Sequence, residues 1–169
     1  GTRFSYSNTG YTLLGHVIET LTGQRYEAYL DANLLVPLGL RDSTFGFVTQ
    51  ARDERLAMGH FERGVPQAAV PAYLRPAMQF TTTAADMARF AQFLMSDGAV
   101  NGEPFIDASL LRAMGVPAGT EAATSGLPIG YGLGLSTRDR HGVVGLCHGG
   151  NTVGYVAMLC LFPKSGHAF

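Results

Sequence analysis

CHGGNTVGYVAMLCLFP, at residues 147–163, combines a strand end, a glycine pair and a second apolar strand pattern. His148-Gly149-Gly150 follows the predicted strand Val143 to Cys147, and Gly154 to Phe162 predicts the next strand. Glycines allow a ligand to approach the backbone closely, so a side chain and bare N–H groups can face it together. The segment therefore predicts antiparallel sheet with a candidate site at its turn.

The chain before this segment predicts mostly helices. Tyr131 to Ser136 predicts one more strand, which makes a three-stranded antiparallel meander. Helical signals occupy four earlier regions: a run that Asn8 or Thr9 can cap and Gly23 ends, Tyr26 to Leu35, Ala84 to Ser96 with capping-box spacing of Thr83 and Asp86, and Asp107 to Met114. Helices followed by strands favour an α+β fold, and we expect residues 1–169 to form a single domain.

Residues 41–80 lack a sustained hydrophobic period and contain several prolines and glycines. We expect a long irregular excursion with one short strand around Leu56 to Phe61, and a loop of this length usually borders a site.

Composition excludes several function classes. The net charge is -1 and the arginines are scattered, which argues against nucleic acid as a partner. The longest apolar stretch, Val153 to Phe162, is far shorter than the ~20 residues of a membrane-spanning helix, so we expect no membrane span.

The two cysteines, Cys147 and Cys160, have no metal-ligand spacing, and we expect neither a metal nor a cofactor. A strand pair turning at Asn151-Thr152 would place Cys147 opposite a residue near Val156 and Cys160 near Val143. Both are therefore predicted to be free thiols.

Two glycine patterns argue against other enzyme classes. The run from Gly130 to Gly134, GYGLG, is followed by neither a helix nor Lys-Ser/Thr, so it predicts close strand packing rather than a nucleotide loop. The chain contains no Gly-x-Ser-x-Gly, which counts against an α/β-hydrolase.

A second candidate site lies near the start of the sequence, where Tyr6 and Asn8 directly precede the first helical run. Each candidate taken alone has an ordinary structural interpretation. A tyrosine before a helix usually packs, a lone histidine at a strand end is usually a surface residue, and Gly-Gly is a common turn.

The motifs Tyr-x-Asn, TTTAADMARFAQFL, GYGLGL and CHGGNTVGYVAMLCLFP occur here in one order. That series closely resembles the serine β-lactamase-like family, which includes class C β-lactamases, D-alanyl-D-alanine peptidases and related esterases. The resemblance covers nearly the whole chain. It implies a partial β-lactamase/transpeptidase-like fold in an incomplete domain.

The resemblance assigns roles to particular residues. Tyr6 and Asn8 match the second family motif, with Tyr6 as the proton carrier and Asn8 as a donor to a substrate carbonyl. His148 and Gly150 match the third motif, Lys/His-x-Gly, and the histidine favours an esterase or peptidase over an efficient β-lactamase. Beyond Gly149 and Gly150, the backbone N–H of Asn151 would form half of an oxyanion hole.

The first family motif, Ser-x-x-Lys, is absent from the sequence, and Lys164 is the only lysine. We therefore expect a fragment of a serine hydrolase whose nucleophile lies outside this chain, inactive alone, acting on a small ester, a β-lactam or a D-Ala peptide. The alternative is a non-catalytic peptide-binding or assembly module of the same fold. Self-association through exposed strands and a periplasmic or secreted location are further expectations.

Overall fold

In the computed structural model of the protein, the described residues are 5–49, 52–62, 65–66, 75–115, 129–152 and 154–169. They form two compact units. The sheet unit consists of the described residues of Gly1–Tyr6, Ala88–Gly149 and Met158–Phe169, and the helical unit of those of Ser7–Met87 and Gly150–Ala157. The expectation of one incomplete domain over residues 1–169 stays a prediction.

Helix α1 spans Asn8–Thr22 and begins earlier than predicted, because Ser7 is its cap rather than Asn8 or Thr9. The Ser7 hydroxyl accepts a hydrogen bond from the Gly10 N–H at 2.9 Å, which satisfies one of the unpaired N–H groups of the first turn. Gly23 ends the helix in a left-handed conformation, φ 68°, as its position predicted. Because Ser7 caps α1, the Asn8 side chain is not used for capping.

The other predicted helices are confirmed with small changes at their ends. These are α2, Tyr26–Leu30, continued by a π-helical turn at Asp31–Leu35, then α4, Ala84–Met95, and α5, Ala108–Met114. The short helix α3, Arg75–Met78, lies between α2 and α4 in the sequence and was not predicted. The Thr83 hydroxyl accepts from the Asp86 N–H at 3.2 Å, as the capping box predicts. Among the described residues, no helix is long and apolar enough to cross a membrane.

The Asp86 side chain, only 1% exposed, has a wider role than the capping box suggested. Its carboxylate accepts from the Asp42 N–H and from the Ser43 hydroxyl, both at 2.8 Å. A buried carboxylate is stable only when such donors replace water. Asp86 thus ties the start of the irregular excursion to α4.

Glu27 is the other buried acid of the helical unit. Burial by itself would raise its pKa, but hydrogen bonds from Arg75, at 2.7 Å, and Arg25, at 3.2 Å, outweigh burial and hold the pKa below its ordinary value. A lowered pKa in the folded state means that this group stabilises the fold above the ordinary carboxylate pKa. That contribution is lost as pH falls through the lowered value.

The excursion contains more strand than predicted. Its short strands β1, His60–Glu62, and β2, Val65–Pro66, pair antiparallel. A second small hairpin, β3, Ala99–Val100, and β4, Glu103–Pro104, follows α4. The strand expected around Leu56 to Phe61 therefore begins later, at His60.

The main sheet has five strands rather than three, in the order β5-β6-β7-β8-β9. They are β5, Ile129–Tyr131, β6, Ser136–Arg140, β7, Val143–Thr152, β8, Tyr155–Phe162, and β9, His167–Ala168. The strand predicted over Tyr131 to Ser136 is wrong, because the chain reverses there and Tyr131 pairs with Ser136. Apolar residues in that turn resembled a strand pattern.

The core of the sheet unit lies where α4 meets the main sheet. Ala91, Leu135 and Leu161 are buried at its centre, with five partly buried side chains around them: Leu94, Met95, Met114, Leu146 and Leu159. Leu161 is 1% exposed. Each Å² of apolar area that this cluster buries stabilises the unit by about 25 cal/mol.

The free-thiol prediction is wrong: Cys147 and Cys160 form a disulfide. The predicted register failed because β7 includes Asn151 and Thr152, which were expected to form the turn, and β8 begins only at Tyr155. Gly154, at φ 79°, adopts a backbone conformation that side chains disfavour, and it marks the real turn. The later turn brings the two cysteines opposite each other.

Intact-mass analysis checks this disulfide. Without reductant, the denatured protein should have no alkylatable thiol, and reduction should add two alkylated cysteines. Because the bridge restricts the unfolded chain, reduction should lower the free energy of unfolding by about 2–4 kcal/mol. Two alkylated cysteines in protein purified without reductant would show that the thiols are free.

Candidate functional site

Tyr6 lies immediately before the Ser7 cap of α1, in the sheet unit, with 54% of its surface exposed. The Tyr6 and Tyr131 rings form a T-shaped, edge-to-face pair. Their centroids are 6.0 Å apart and the interplanar angle is 88°. Such T-shaped pairs contribute about 0.5–1.5 kcal/mol beyond the area that they bury. The contact therefore orients an otherwise exposed tyrosine.

His148 lies in β7, directly after the disulfide-bonded Cys147. Its ring meets the same Tyr131 ring, with centroids 6.3 Å apart and an interplanar angle of 68°. The structure thus brings two of the predicted site residues, Tyr6 and His148, to one shared aromatic neighbour.

Tyr131 was not selected as a site residue from the sequence. Its only signal was an aromatic residue between Gly130 and Gly132, and that run predicted strand packing. A ring contact between residues so far apart in sequence depends on sheet topology, which no local pattern contains.

The polar side-chain groups of the candidate site make no hydrogen bonds to other described residues. Within those residues, neither the Tyr6 hydroxyl nor the His148 ring nitrogens take part in a hydrogen bond, and the Asn8 amide is likewise unused. Asn8 contributes only its backbone carbonyl, which accepts from the Thr12 hydroxyl at 3.0 Å. It is the first residue of α1 and belongs to the helical unit.

The strand register determines where the backbone N–H groups of β7 point. The Cα atoms of Cys147 and Cys160 are 4.2 Å apart, the spacing of a non-hydrogen-bonded pair in an antiparallel ladder, about 4.5 Å. Gly149 and Asn151 share the parity of Cys147, so their N–H groups point away from β8. On that side the pairing with β6 ends at Ser136, opposite Cys147.

The tip of the β7–β8 hairpin is attached to the residues around β1 within the helical unit. The Gly154 carbonyl accepts from the His60 N–H at 3.2 Å, and the Tyr155 hydroxyl donates to the Ala57 carbonyl at 2.7 Å. These two bonds hold the tip that follows Gly150 and Asn151. Gly149 belongs to the sheet unit.

The described residues contain no candidate metal-binding site. No group of three or more His, Cys, Asp or Glu side chains there could hold a metal ion. The candidate chemistry consists of a phenol, an imidazole, a carboxamide and backbone N–H groups.

Comparison with known proteins identifies the family. Residues 1–169 match the model of the family described as Beta-lactamase. The chain belongs to the Beta-lactamase family. Its sequence is 35% identical to Penicillin-binding protein 4 of Amycolatopsis lactamdurans over 98% of this chain and 45% of that protein.

Two solved structures have a fold similar to that of this chain. A D-stereospecific amidohydrolase from Streptomyces sp. superposes with a TM-score of 0.78 at 25% identity, over 99% of this chain and 49% of its own. The octameric penicillin-binding protein homologue from Pyrococcus abyssi superposes with a TM-score of 0.77 at 26% identity, over 99% and 38%. The chain therefore spans less than half the length of each of these proteins.

Similarity to known proteins supports a general functional class. Beta-lactamase family members, penicillin-binding proteins and the amidohydrolase place this chain among serine hydrolase-like proteins. The predicted partial α+β fold is also in agreement with the structural relatives.

Alanine substitutions at Gly150 and Gly154 test which of these two hairpin positions requires a glycine for folding. A Cβ at Gly150 would have nothing within 4 Å, whereas a Cβ at Gly154 would lie 2.6 Å from the His60 nitrogen. Gly150→Ala should leave urea-induced unfolding almost unchanged. Gly154→Ala should lower the free energy of unfolding by about 1–3 kcal/mol, because it combines a clash with a strained φ.

Each substitution is the control for the other, since both add one methyl group to the same hairpin. Equal losses of stability in the two variants would contradict the hairpin geometry. If Gly150→Ala does not lower the stability, the fold does not require glycine at this position. Close approach of a ligand would then explain the glycine.

Proposed function

We propose that this chain is part of a serine hydrolase that acts through an acyl-enzyme, with Tyr6 as the proton carrier. The observation that carries the proposal is the pair of ring contacts that place Tyr6 and His148 on Tyr131 in a member of the Beta-lactamase family. Formation of a covalent acyl-enzyme divides one difficult step into two easier ones. The proton of the attacking hydroxyl would pass to Tyr6.

The nucleophile itself would come from sequence outside these 169 residues. No serine in the chain is followed by lysine at the third position, and Lys164 is the only lysine. An adjacent positive charge favours the phenolate form of a tyrosine, so Tyr6 would need a neighbouring cation to accept a proton. In the proposed enzyme, the lysine of the Ser-x-x-Lys motif supplies that charge.

Asn8 and Asn151 would bind the acyl group. The Asn8 amide donates to a substrate carbonyl, a role that suits a neutral group with both a donor and an acceptor. The N–H of Asn151, on the side of β7 that points away from β8, would pair with the N–H of the serine to hold the oxyanion. One oxyanion-hole donor is typically worth about 3–4 kcal/mol of the activation barrier.

The substrate class follows from charge. His148 matches the third family motif, Lys/His-x-Gly, and an imidazole attracts a substrate carboxylate less strongly than the ammonium group of a lysine would. We therefore favour a small ester or a D-Ala peptide over a β-lactam. Gly149 and Gly150 leave room for the substrate backbone beside β7.

The disulfide supports the expected periplasmic or secreted location, because disulfides persist in oxidising compartments. Its two sulfur-bearing residues are buried, so the bond would also be protected from reductants.

A second candidate function is a non-catalytic assembly module. Apolar side chains are exposed on α1, namely Leu13, Leu14, Val17 and Leu21, and on β8, namely Tyr155, Val156 and Met158. Contiguous exposed apolar surface usually marks an interaction site. The homologue from Pyrococcus abyssi is octameric, which makes self-association a reasonable proposal for this chain as well.

The Tyr6 role is tested in the full-length protein that contains this chain. Tyr6→Phe removes only the phenolic O–H, so hydrolysis of a p-nitrophenyl ester should fall by about 10²–10⁴-fold, the usual contribution of a general acid–base group. The ring contact with Tyr131 should persist and thermal unfolding should change little. Tyr29→Phe, on α2, is the matched control.

Near-normal turnover in the Tyr6→Phe protein would contradict the proton-carrier role. A large fall in the Tyr29→Phe protein as well would point to a general effect of losing a tyrosine hydroxyl.

The location of the nucleophile is tested with the 169-residue chain alone. Incubated with a fluorescent penicillin, the chain should not be labelled, because the covalent step has no serine activated by lysine. A separately produced segment carrying Ser-x-x-Lys should restore labelling on mixing, with the label on that segment. Labelling of the 169-residue chain itself would overturn the proposal.

A further inference from the structure

Tyr131 is fixed by backbone pairing at one edge of the main sheet. It pairs with Ser136 across the β5–β6 ladder, and Ser136 pairs with Cys147 across the β6–β7 ladder. The Ser136 hydroxyl also donates to the Cys147 carbonyl at 2.7 Å. The backbone of Tyr131 is therefore coupled to the residue that directly precedes His148.

The turn after Tyr131 is also held by hydrogen bonds. The Gly132 N–H donates to the Leu135 carbonyl at 2.8 Å, and the Leu133 N–H donates to the Met114 carbonyl at 3.0 Å. Leu135 itself is buried in the core. Tyr131 thus stands on a turn that core packing and α5 keep in place.

Tyr6 has less support of its own. It precedes α1 and is more than half exposed. Among the described residues of the sheet unit, the Tyr6 ring packs against the Tyr131 ring. His148 also contacts the Tyr131 ring. One ring, on a backbone held by strand pairing, therefore contacts both candidate catalytic side chains.

We propose that Tyr131 is a positioning residue, whose ring sets the orientation of Tyr6 and His148 relative to each other. The proposal deepens the function proposed above and depends on it for its catalytic consequence. Both contacts use the edge or face of an aromatic ring, so phenylalanine should replace Tyr131 and an aliphatic residue should not. A misplacement of about 1 Å in such a site can cost roughly 10²-fold in rate.

Kinetics in the full-length protein test the catalytic consequence. For p-nitrophenyl ester hydrolysis, Tyr131→Leu should lower kcat by about 10- to 100-fold with a smaller change in KM, because the groups that react are misaligned while the binding surface remains. Tyr131→Phe should retain most of the activity. Loss of activity in both variants would make the hydroxyl the important group and overturn the ring-positioning proposal.

Nuclear magnetic resonance tests the orientation without reference to activity. Ring-current effects make the proton shifts of Tyr6 and His148 sensitive to the neighbouring ring. In the full-length protein, Tyr131→Leu should shift both sets of resonances and Tyr131→Phe should restore them. Unchanged Tyr6 and His148 shifts in Tyr131→Leu would overturn the proposal whatever the kinetics.

A second aromatic pair in the sheet unit serves as the structural control. Phe93 and Phe105 pack with centroids 5.8 Å apart at 71°, a geometry like that of the site pair. Phe105→Leu should lower the melting temperature about as much as Tyr131→Leu while kcat stays unchanged. A parallel loss of kcat in Phe105→Leu would reduce the Tyr131 effect to general destabilisation and overturn the proposal.

The two proposals can fail separately. If the full-length protein hydrolyses neither ester nor β-lactam, the proposed function fails, and the resonance shifts still decide whether Tyr131 orients the two rings. If Tyr6→Phe inactivates the enzyme but Tyr131→Leu does not, the proposed function stands and the positioning role is lost.

Discussion

The register of β7 is the constraint on which the sheet unit depends. This strand pairs with β6 through Ser136 and Cys147 and is bonded covalently to β8 through Cys147 and Cys160. A shift by one residue would exchange every side chain between the two faces of the strand. It would also move His148 away from Tyr131 and reverse the N–H groups of Gly149 and Asn151. The disulfide excludes that shift, so strand pairing and site geometry are one constraint.

The helix cap has a similar effect on the other motif. Ser7 supplies the capping oxygen of α1, which separates Tyr6 before the cap from Asn8 after it. The Asn8 side chain is thereby available for a different partner, and the Tyr6 ring lies against Tyr131. A short motif can therefore combine a structural residue with two candidate functional residues, because capping requires only one side chain.

The proposed function divides the chemistry between this chain and sequence outside it. The residues described here supply a phenol, an imidazole, a carboxamide and oriented backbone N–H groups, which are suited to moving a proton and stabilising negative charge. A nucleophile of the family type is absent from the sequence. Exposed apolar residues on α1 and β8 are the surfaces on which further polypeptide could pack.

The sequence by itself determined helices α1, α2, α4 and α5, the α+β class and the family, and it selected six candidate site residues whose roles stay predictions. Caps, hydrophobic period and short motifs are local, so Gly23, Thr83 and Asp107 could be recognised from their neighbours. The tertiary structure decided the five-stranded sheet, the Cys147–Cys160 disulfide and the shared contact with Tyr131. The turn at Gly154 controls which residues of β7 and β8 are opposite, and a local pattern contains no information on that pairing. Strand partners are chosen by packing between distant segments, and for that reason only the folded chain shows which aromatic ring lies between Tyr6 and His148.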